Sequence, residues 1–369
     1  MEDPSSRRGL LTSAAVALTA APLAINAWGA TAVGAGAGPA GPGPGPGAAR
    51  APAPPGPSSA LSLPAPILVL NSLDADVSVI DPSTHVERQR VPTGREPHHL
   101  YLTPDEKSVI VANAASDSLT FIDPMSAQVQ RTLRQVIDPY HLRFSPDMMW
   151  FVTAANRLNH IDIYRWQPQQ AGAPLALVRR VHAARTPSHL MIDGRSTVVY
   201  ATLQDSDQLV AIDLATHAVR YTVPIGRMPA DLYLTADDHT LLIGMTGADV
   251  VEAYDVSGPT PRLIRRITTG RGAHAFRAWG DKRHVFVSNR VANTISLIDT
   301  HSLSVVDQYP APGGPDCMEF LADQRTLLVS ARWARKLVCV DTVQRRIVRQ
   351  VPVGRSPHGV WTLAHAARV

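Results

Sequence analysis

Imidazoles recur at one fixed place in this sequence. A Pro-x-x slot returns at intervals of 42–48 residues, at Pro97, Pro139, Pro187, Pro229, Pro315 and Pro357, with Ala273 once in place of proline. The first position after it holds His98, His274 and His358, and the second holds His99, His141 and His189. These 14 positions carry six histidines, whereas 14 histidines spread over 369 residues would put about half of one there. Asp231 and Cys317 occupy two more. Imidazole suits copper, zinc and iron, and a thiolate favours the softer ions. If the slots meet in space, these eight residues form a candidate site for a transition metal, copper or iron. The competing reading is descent: one ancestral histidine copied by duplication into a polar, watered channel.

Arginines stand two residues before five of the slots, at Arg95, Arg185, Arg227, Arg271 and Arg355. A guanidinium is always charged and grips carboxylate or phosphate bidentately. Histidines below and arginines above would suit an iron tetrapyrrole bearing carboxylates, whereas a bare metal ion needs the histidines alone. Surface solubility explains the arginines equally well. The local signatures of hydrolysis are absent: no Gly-x-Ser-x-Gly, no His-Glu-x-x-His and no glycine-rich phosphate loop. No Cys-x-x-Cys-His offers covalent haem attachment. Asp105, Asp147, Asp237 and Asp323 sit in polar turns and read as turn formers.

The formal net charge is +4, and lysine occurs only at 107, 282 and 336. Arginines are interspersed with acids rather than run together, which argues against a nucleic-acid partner. Cys317 falls on the repeat's first strand and Cys339 on its third. Two strand spacings put them roughly 10 Å apart, too far for a disulfide, so both read as thiols.

The elements that must position the slots are short and β-branched. After each slot comes an apolar strand and a polar turn, then second strands at 109–112, 150–153, 198–201, 241–244, 285–288 and 327–330. Third strands end in aspartate at Asp81, Asp123, Asp162, Asp213, Asp255, Asp299 and Asp341. A fourth strand leads back to the slot. Four strands per period, repeated about an axis, make a propeller, and seven slots make seven blades. The expected fold is all-β, a seven-bladed β-propeller over 65–369. The repeat opens on a second strand at Ile67 and ends on a first strand at His358-Gly359-Val360-Trp361, so both ends share the closing blade.

Residues 1–32 read as a signal peptide. Arg7-Arg8-Gly9-Leu10-Leu11 opens an uncharged apolar run to Ile25, with cleavage expected near Ala30-Thr31-Ala32 or Ile25-Asn26-Ala27. The paired arginine resembles a twin-arginine signal, with the general secretory route as the alternative. The run is short and breaks into proline and glycine, so no membrane span is expected in the mature form. Residues 33–64 are almost all glycine, alanine and proline and read as a disordered linker. A periplasmic or secreted location follows.

Several segments resemble the YVTN-type β-propeller repeat family. Asp81-Pro82-Ser83-Thr84 with Pro92-Thr93-Gly94-Arg95-Glu96-Pro97 is one copy of its pattern, and Val353-Gly354-Arg355-Ser356-Pro357 is another. Val111-Ala112-Asn113 and Val287-Ser288-Asn289 match its last element. The resemblance covers 67–361 and implies the propeller fold. Similar propellers occur in nitrous-oxide reductase, in tetrapyrrole-binding nitrite reductase and in sugar lactonases, so it does not fix a function. The expectation is a hub that binds a transition metal or a metal tetrapyrrole, in redox chemistry or cofactor assembly. A lactonase-like hydrolase with a hub divalent ion and an interaction scaffold without hub ligand are the alternatives. The expected partner is a small molecule or metal in the central channel, with a periplasmic protein partner possible in principle.

Overall fold

The structure is a computed structural model and describes residues 64–365 except 171. The expected signal peptide (1–32) and nearly all of the expected linker (33–64) lie outside the described residues. Seven four-stranded antiparallel sheets form a β-propeller, each sheet one blade. Pro357–Trp361 is the innermost strand of the closing blade, paired with Ile67–Asn71 through Leu68 opposite Trp361 and Val69 opposite Val360. The chain thus closes on itself as the repeat count required. Among the described residues no helix is long and apolar enough to cross a membrane.

Burial grades outward across each blade because each successive strand has fewer neighbours. The innermost strands, such as Pro97–Leu102 and Ala273–Ala278, are buried at every residue. The outermost, such as Glu87–Pro92, keep only one residue inside. Apolar side chains pack between neighbouring blades. Phe286, Tyr309 and Phe320 interleave in one such seam, and Leu68, Leu100, Val111 and Trp361 fill the seam at the closure.

The turn aspartates behave as expected of short side chains that bond the nearby backbone. Asp105, Asp147 and Asp237 each accept a hydroxyl from the residue two before, and Asp323 accepts the amides of Arg325 and Thr326. Asp162 departs from the reading as a strand end. It lies inside the seven-residue strand His160–Trp166, fully buried, gripped by Arg180 at 2.8 Å through both oxygens and by the Tyr164 hydroxyl at 3.1 Å. Glu252 repeats this with Arg266 and Tyr254. These two blades hold a buried carboxylate on the third strand where others hold a hydroxyl, Thr120 or Ser296, that is bonded by Asn113 or Asn289 of the second strand.

Candidate functional site

The hub is made by a backbone device that recurs in every blade. The residue before each slot has positive φ: Glu96 (56°), Asp138 (46°), Thr186 (63°), Met228 (49°), Gly272 (78°), Gly314 (72°) and Ser356 (53°). Only two of the seven are glycine, although a left-handed residue costs roughly 1–2 kcal/mol when it carries a Cβ. Part of that cost is offset by the amides that grip these residues' carbonyls, from Ala114, Gln204, Thr246, Arg290, Arg332 and Ser72. The strand then begins with a register shift, between Pro97 and Leu100 in one blade and Pro139 and His141 in the next. A shift of this kind lets two consecutive residues face the axis, which a regular strand would point to opposite faces. Both positions after the slot therefore reach the hub.

There the six histidines form one contiguous stack. Ring centroids lie 4.2 Å apart for His98 and His358, 5.5 Å for His98 and His99, and 4.4 Å for His99 and His141. His141 to His189 is 5.1 Å and His189 to His274 is 5.8 Å. All six are buried. Ligand atoms of His98, His99 and His358 lie within 4.8 Å of one another, close enough to converge on one ion. So do those of Asp316, Cys317 and His358. His98 and His141 lack a hydrogen-bond partner on both ring nitrogens, and His99, His189 and His358 lack one on Nε2. A buried polar atom without a partner costs roughly 1–3 kcal/mol, so so many together point to something the hub is built to receive.

The remaining expected ligands are placed differently. His141, His189 and His274 continue the stack but belong to neither converging set. Asp231 is buried, one oxygen accepting the amide of Phe276 at 2.9 Å and the other making no hydrogen bond. Cys317 lies 3.7 Å from His358 Nδ1. Cys317 and Cys339 are both buried thiols and form no disulfide. The five expected arginines are all exposed on the turns of the mouth face. Arg355 is tied to Asp74 and the carbonyl of Leu73, and Arg185 to the carbonyl of Asp205, so these two clamp neighbouring loops.

Other charged residues face the hub instead. Asp316 is fully buried and receives Arg290 at 2.5 Å, Arg332 at 3.2 Å and His274 Nδ1 at 3.2 Å. Deeper in the channel Arg277 meets Glu319 at 2.6 Å, and Arg143 donates to the carbonyl of Leu190 at 2.8 Å. A repeat alignment could have found these. Asp316 occupies the same slot position as His98, and Arg290 and Arg332 stand at one common offset from Ala273 and Pro315.

Electrostatics keep the imidazoles neutral, which is the ligating form. Burial pushes His98, His141, His189 and His358 well below their ordinary range. It takes His99 to about 3 and His274 to about 4. Burial raises Asp231 to about 7. Burial would raise Asp316 too, but Arg290, His274 and Arg332 outweigh it and hold its carboxyl well below the usual range. The sign of the pH dependence follows. Below the unfolded histidine value of 6.5, the unfolded chain takes up protons that the folded hub refuses, so stability falls as pH drops. Asp231 opposes this: its contribution is present below 3.8 and lost as pH rises through about 7. One aspartate is outweighed by six histidines, each worth up to about 1.4 kcal/mol per pH unit. The metal-free protein will therefore lose stability steeply from pH 6.5 to 4.5, read as a falling urea midpoint; a flat midpoint over that range would refute a buried neutral cluster.

The family model of YNCE-like β-propellers matches residues 25–368. The chain belongs to the YNCE-like β-propeller family. The YVTN-type motifs quoted above thus sit within a YNCE-like propeller. No curated protein matches the sequence. Among solved structures, the chain is similar to a dihydro-heme d1 dehydrogenase, NirN, in complex with DHE, at TM-score 0.64 and 17% identity, over 85% of this chain and 78% of that one. It is similar to the periplasmic gluconolactonase of Pseudomonas aeruginosa at TM-score 0.68 and 17% identity, over 80% and 98%. Hydrazine synthase of Kuenenia stuttgartiensis follows at TM-score 0.60 and 16% identity, over 73% and 90%. At these identities the likeness is one of fold.

Proposed function

We propose that this protein is an exported propeller whose hub binds a transition-metal ion, copper or iron, through His98, His99 and His358. The observation that carries the reading is the convergence of three buried, neutral imidazoles whose Nε2 atoms make no hydrogen bond. Neutral nitrogen donors suit these ions, and burial inside seven blades would shield the ion from competing ligands. A bound ion would supply redox chemistry or Lewis acidity, or be a cargo held for cofactor assembly. The histidines' role is to hold it.

A metal tetrapyrrole is the second reading. It is favoured by the ring of exposed arginines on the mouth face, which could meet carboxylates, and by the fold shared with NirN. Rings 4.2–5.8 Å apart leave no gap for a macrocycle between them, so it would have to lie over the mouth with one histidine beneath.

Protein isolated from its own periplasm, with its absorption spectrum and metal content measured, separates these readings. Bound copper or iron without a Soret band supports the ion, and a Soret band supports the tetrapyrrole. A colourless protein carrying a different divalent ion would favour a lactonase-like hydrolase, and a metal-free one a scaffold. Export is tested on the same material: changing Arg7 and Arg8 to lysine should strand the precursor in the cytoplasm, and normal export would assign the general secretory route.

A further inference from the structure

We propose that the channel below the histidines holds a small monovalent anion, a halide or an oxyanion the size of nitrate or formate, on the guanidinium of Arg143 and the hydroxyl of Tyr101. The site is separate from the imidazole position and stands whether or not that position takes an ion. Among the described residues three arginines are buried, Arg143, Arg277 and Arg290. Arg277 lies 2.6 Å from Glu319 and Arg290 lies 2.5 Å from Asp316, whereas Arg143 enters no ion pair with a described residue. Its Nε donates to the Leu190 carbonyl at 2.8 Å, and its guanidinium carbon lies 5.7 Å from the centre of the Tyr101 ring. Its Nη2 is buried without a hydrogen bond. A carbonyl dipole and a ring face soften a buried charge without neutralising it, and an unpaired buried ion is among the costliest features a core can carry.

Placement and charge point to the same spot. Tyr101 and Arg143 lie on the innermost strands of neighbouring blades, Pro97–Leu102 and Pro139–Phe144, each four residues after its slot proline. Arg277 and Glu319 hold the same place in their blades, and Met191, Tyr233 and Trp361 complete the layer without charge. The layer therefore carries two guanidiniums and one carboxylate, one positive charge in excess. The Tyr101 hydroxyl is buried without a hydrogen bond, and burial raises its pKa, so it stays protonated and can donate. Asp231, two residues nearer the mouth in its own strand, is the competing source of negative charge. It makes no ion pair with Arg143, and burial raises it to about 7, which leaves it partly protonated at neutral pH. One excess charge calls for a monovalent anion. Walls as closed as Tyr101 at 3% exposure and Arg143 at 7% call for a small one.

The test is thermal melting of the full exported protein, as isolated and again after chelation of metal. Sodium bromide, nitrate or formate is exchanged for a bulky sulfonate at constant ionic strength. The melting temperature should rise along a saturating curve, equally before and after chelation. Arg143→Met should lose at least about tenfold in apparent anion affinity, and Tyr101→Phe about two- to tenfold, the usual worth of a charged and a neutral hydrogen bond. Exposed Arg179→Gln should change nothing. Arg143→Met removes an unpaired charge at similar volume and should fold. If it does not, diffraction from parent crystals grown with bromide reads the site directly, as an anomalous peak beside Arg143 and Tyr101. A parent whose melting ignores the anion, a response that vanishes on chelation, or an unchanged response in Arg143→Met overturns the inference. So does bromide found only at exposed arginines. A response that appears only in Asp231→Asn would overturn it too, by making Asp231 the counter-ion.

Discussion

Changing His98, His99 or His358 singly to alanine will weaken copper binding by at least about 100-fold, since even outer-shell partners of metal ligands cost 10–100-fold. The metal-free fold will change little. Its core is aliphatic and aromatic and lies between blades rather than on the axis. The mutations also remove ring nitrogens that are buried without partners, and relief of that cost, roughly 1–3 kcal/mol each, offsets the lost packing. The two effects separate in a melting experiment. An ion at 100 times its dissociation constant stabilises the parent by about 2.7 kcal/mol. The variants should lose that metal-dependent rise and keep the metal-free value. His141, His189 and His274 stand outside the converging sets, so their alanine variants should lose less affinity. His85 and His301 lie in outer turns and should do neither. If all three central variants bind and melt like the parent, the histidine ring is a relic of duplication.

Removing residues 357–369 will yield an aggregating product. The deletion takes away Pro357–Trp361, the innermost strand of the closing blade. Trp361 is fully buried against Leu68, Leu70 and Leu100, and its loss alone costs roughly 3–5 kcal/mol. Ile67–Asn71 then becomes an unpaired apolar edge, buried at every residue in the intact ring, which is the kind of surface that recruits other chains. Trp361→Ala keeps the backbone pairing and should fold with lowered stability. Size-exclusion chromatography with denaturant unfolding reads both outcomes. A soluble truncation that unfolds cooperatively would mean the two ends do not depend on one another.

How much of this was legible beforehand differs by level. Seven slots, four strands per period and a shared closing blade could be read from spacing, because each strand's alternation is local and the repeat count is a matter of position. The identity of Asp105 and its equivalents as turn formers was legible for the same reason: an aspartate bonds backbone two residues away. The histidine slots were visible as a periodic excess. That both slot positions face inward was not, since regular pleating puts consecutive residues on opposite faces. The left-handed residue before each slot and the register shift after it turn both inward, and Glu96 or Thr186 does not advertise that conformation.

Sequence by itself determined the architecture and the set of candidate donors, through period, composition and turn chemistry. Only the tertiary structure decided which donors meet. His358 is carried by the C-terminal strand, which joins the blade next to that of His98 and His99 only by pairing with Ile67–Asn71, so their convergence depends on that closure. It also exchanged one set of arginines for another. Arg95 and its equivalents, beside the slots in sequence, are exposed, whereas Arg290 and Arg332, distant in sequence, reach the buried Asp316. The physical reason is that turn residues two positions before an inner strand splay outward over the rim. The turns after each second strand fold over the mouth, held by the amide bonds from Arg290 to Gly272 and from Arg332 to Gly314.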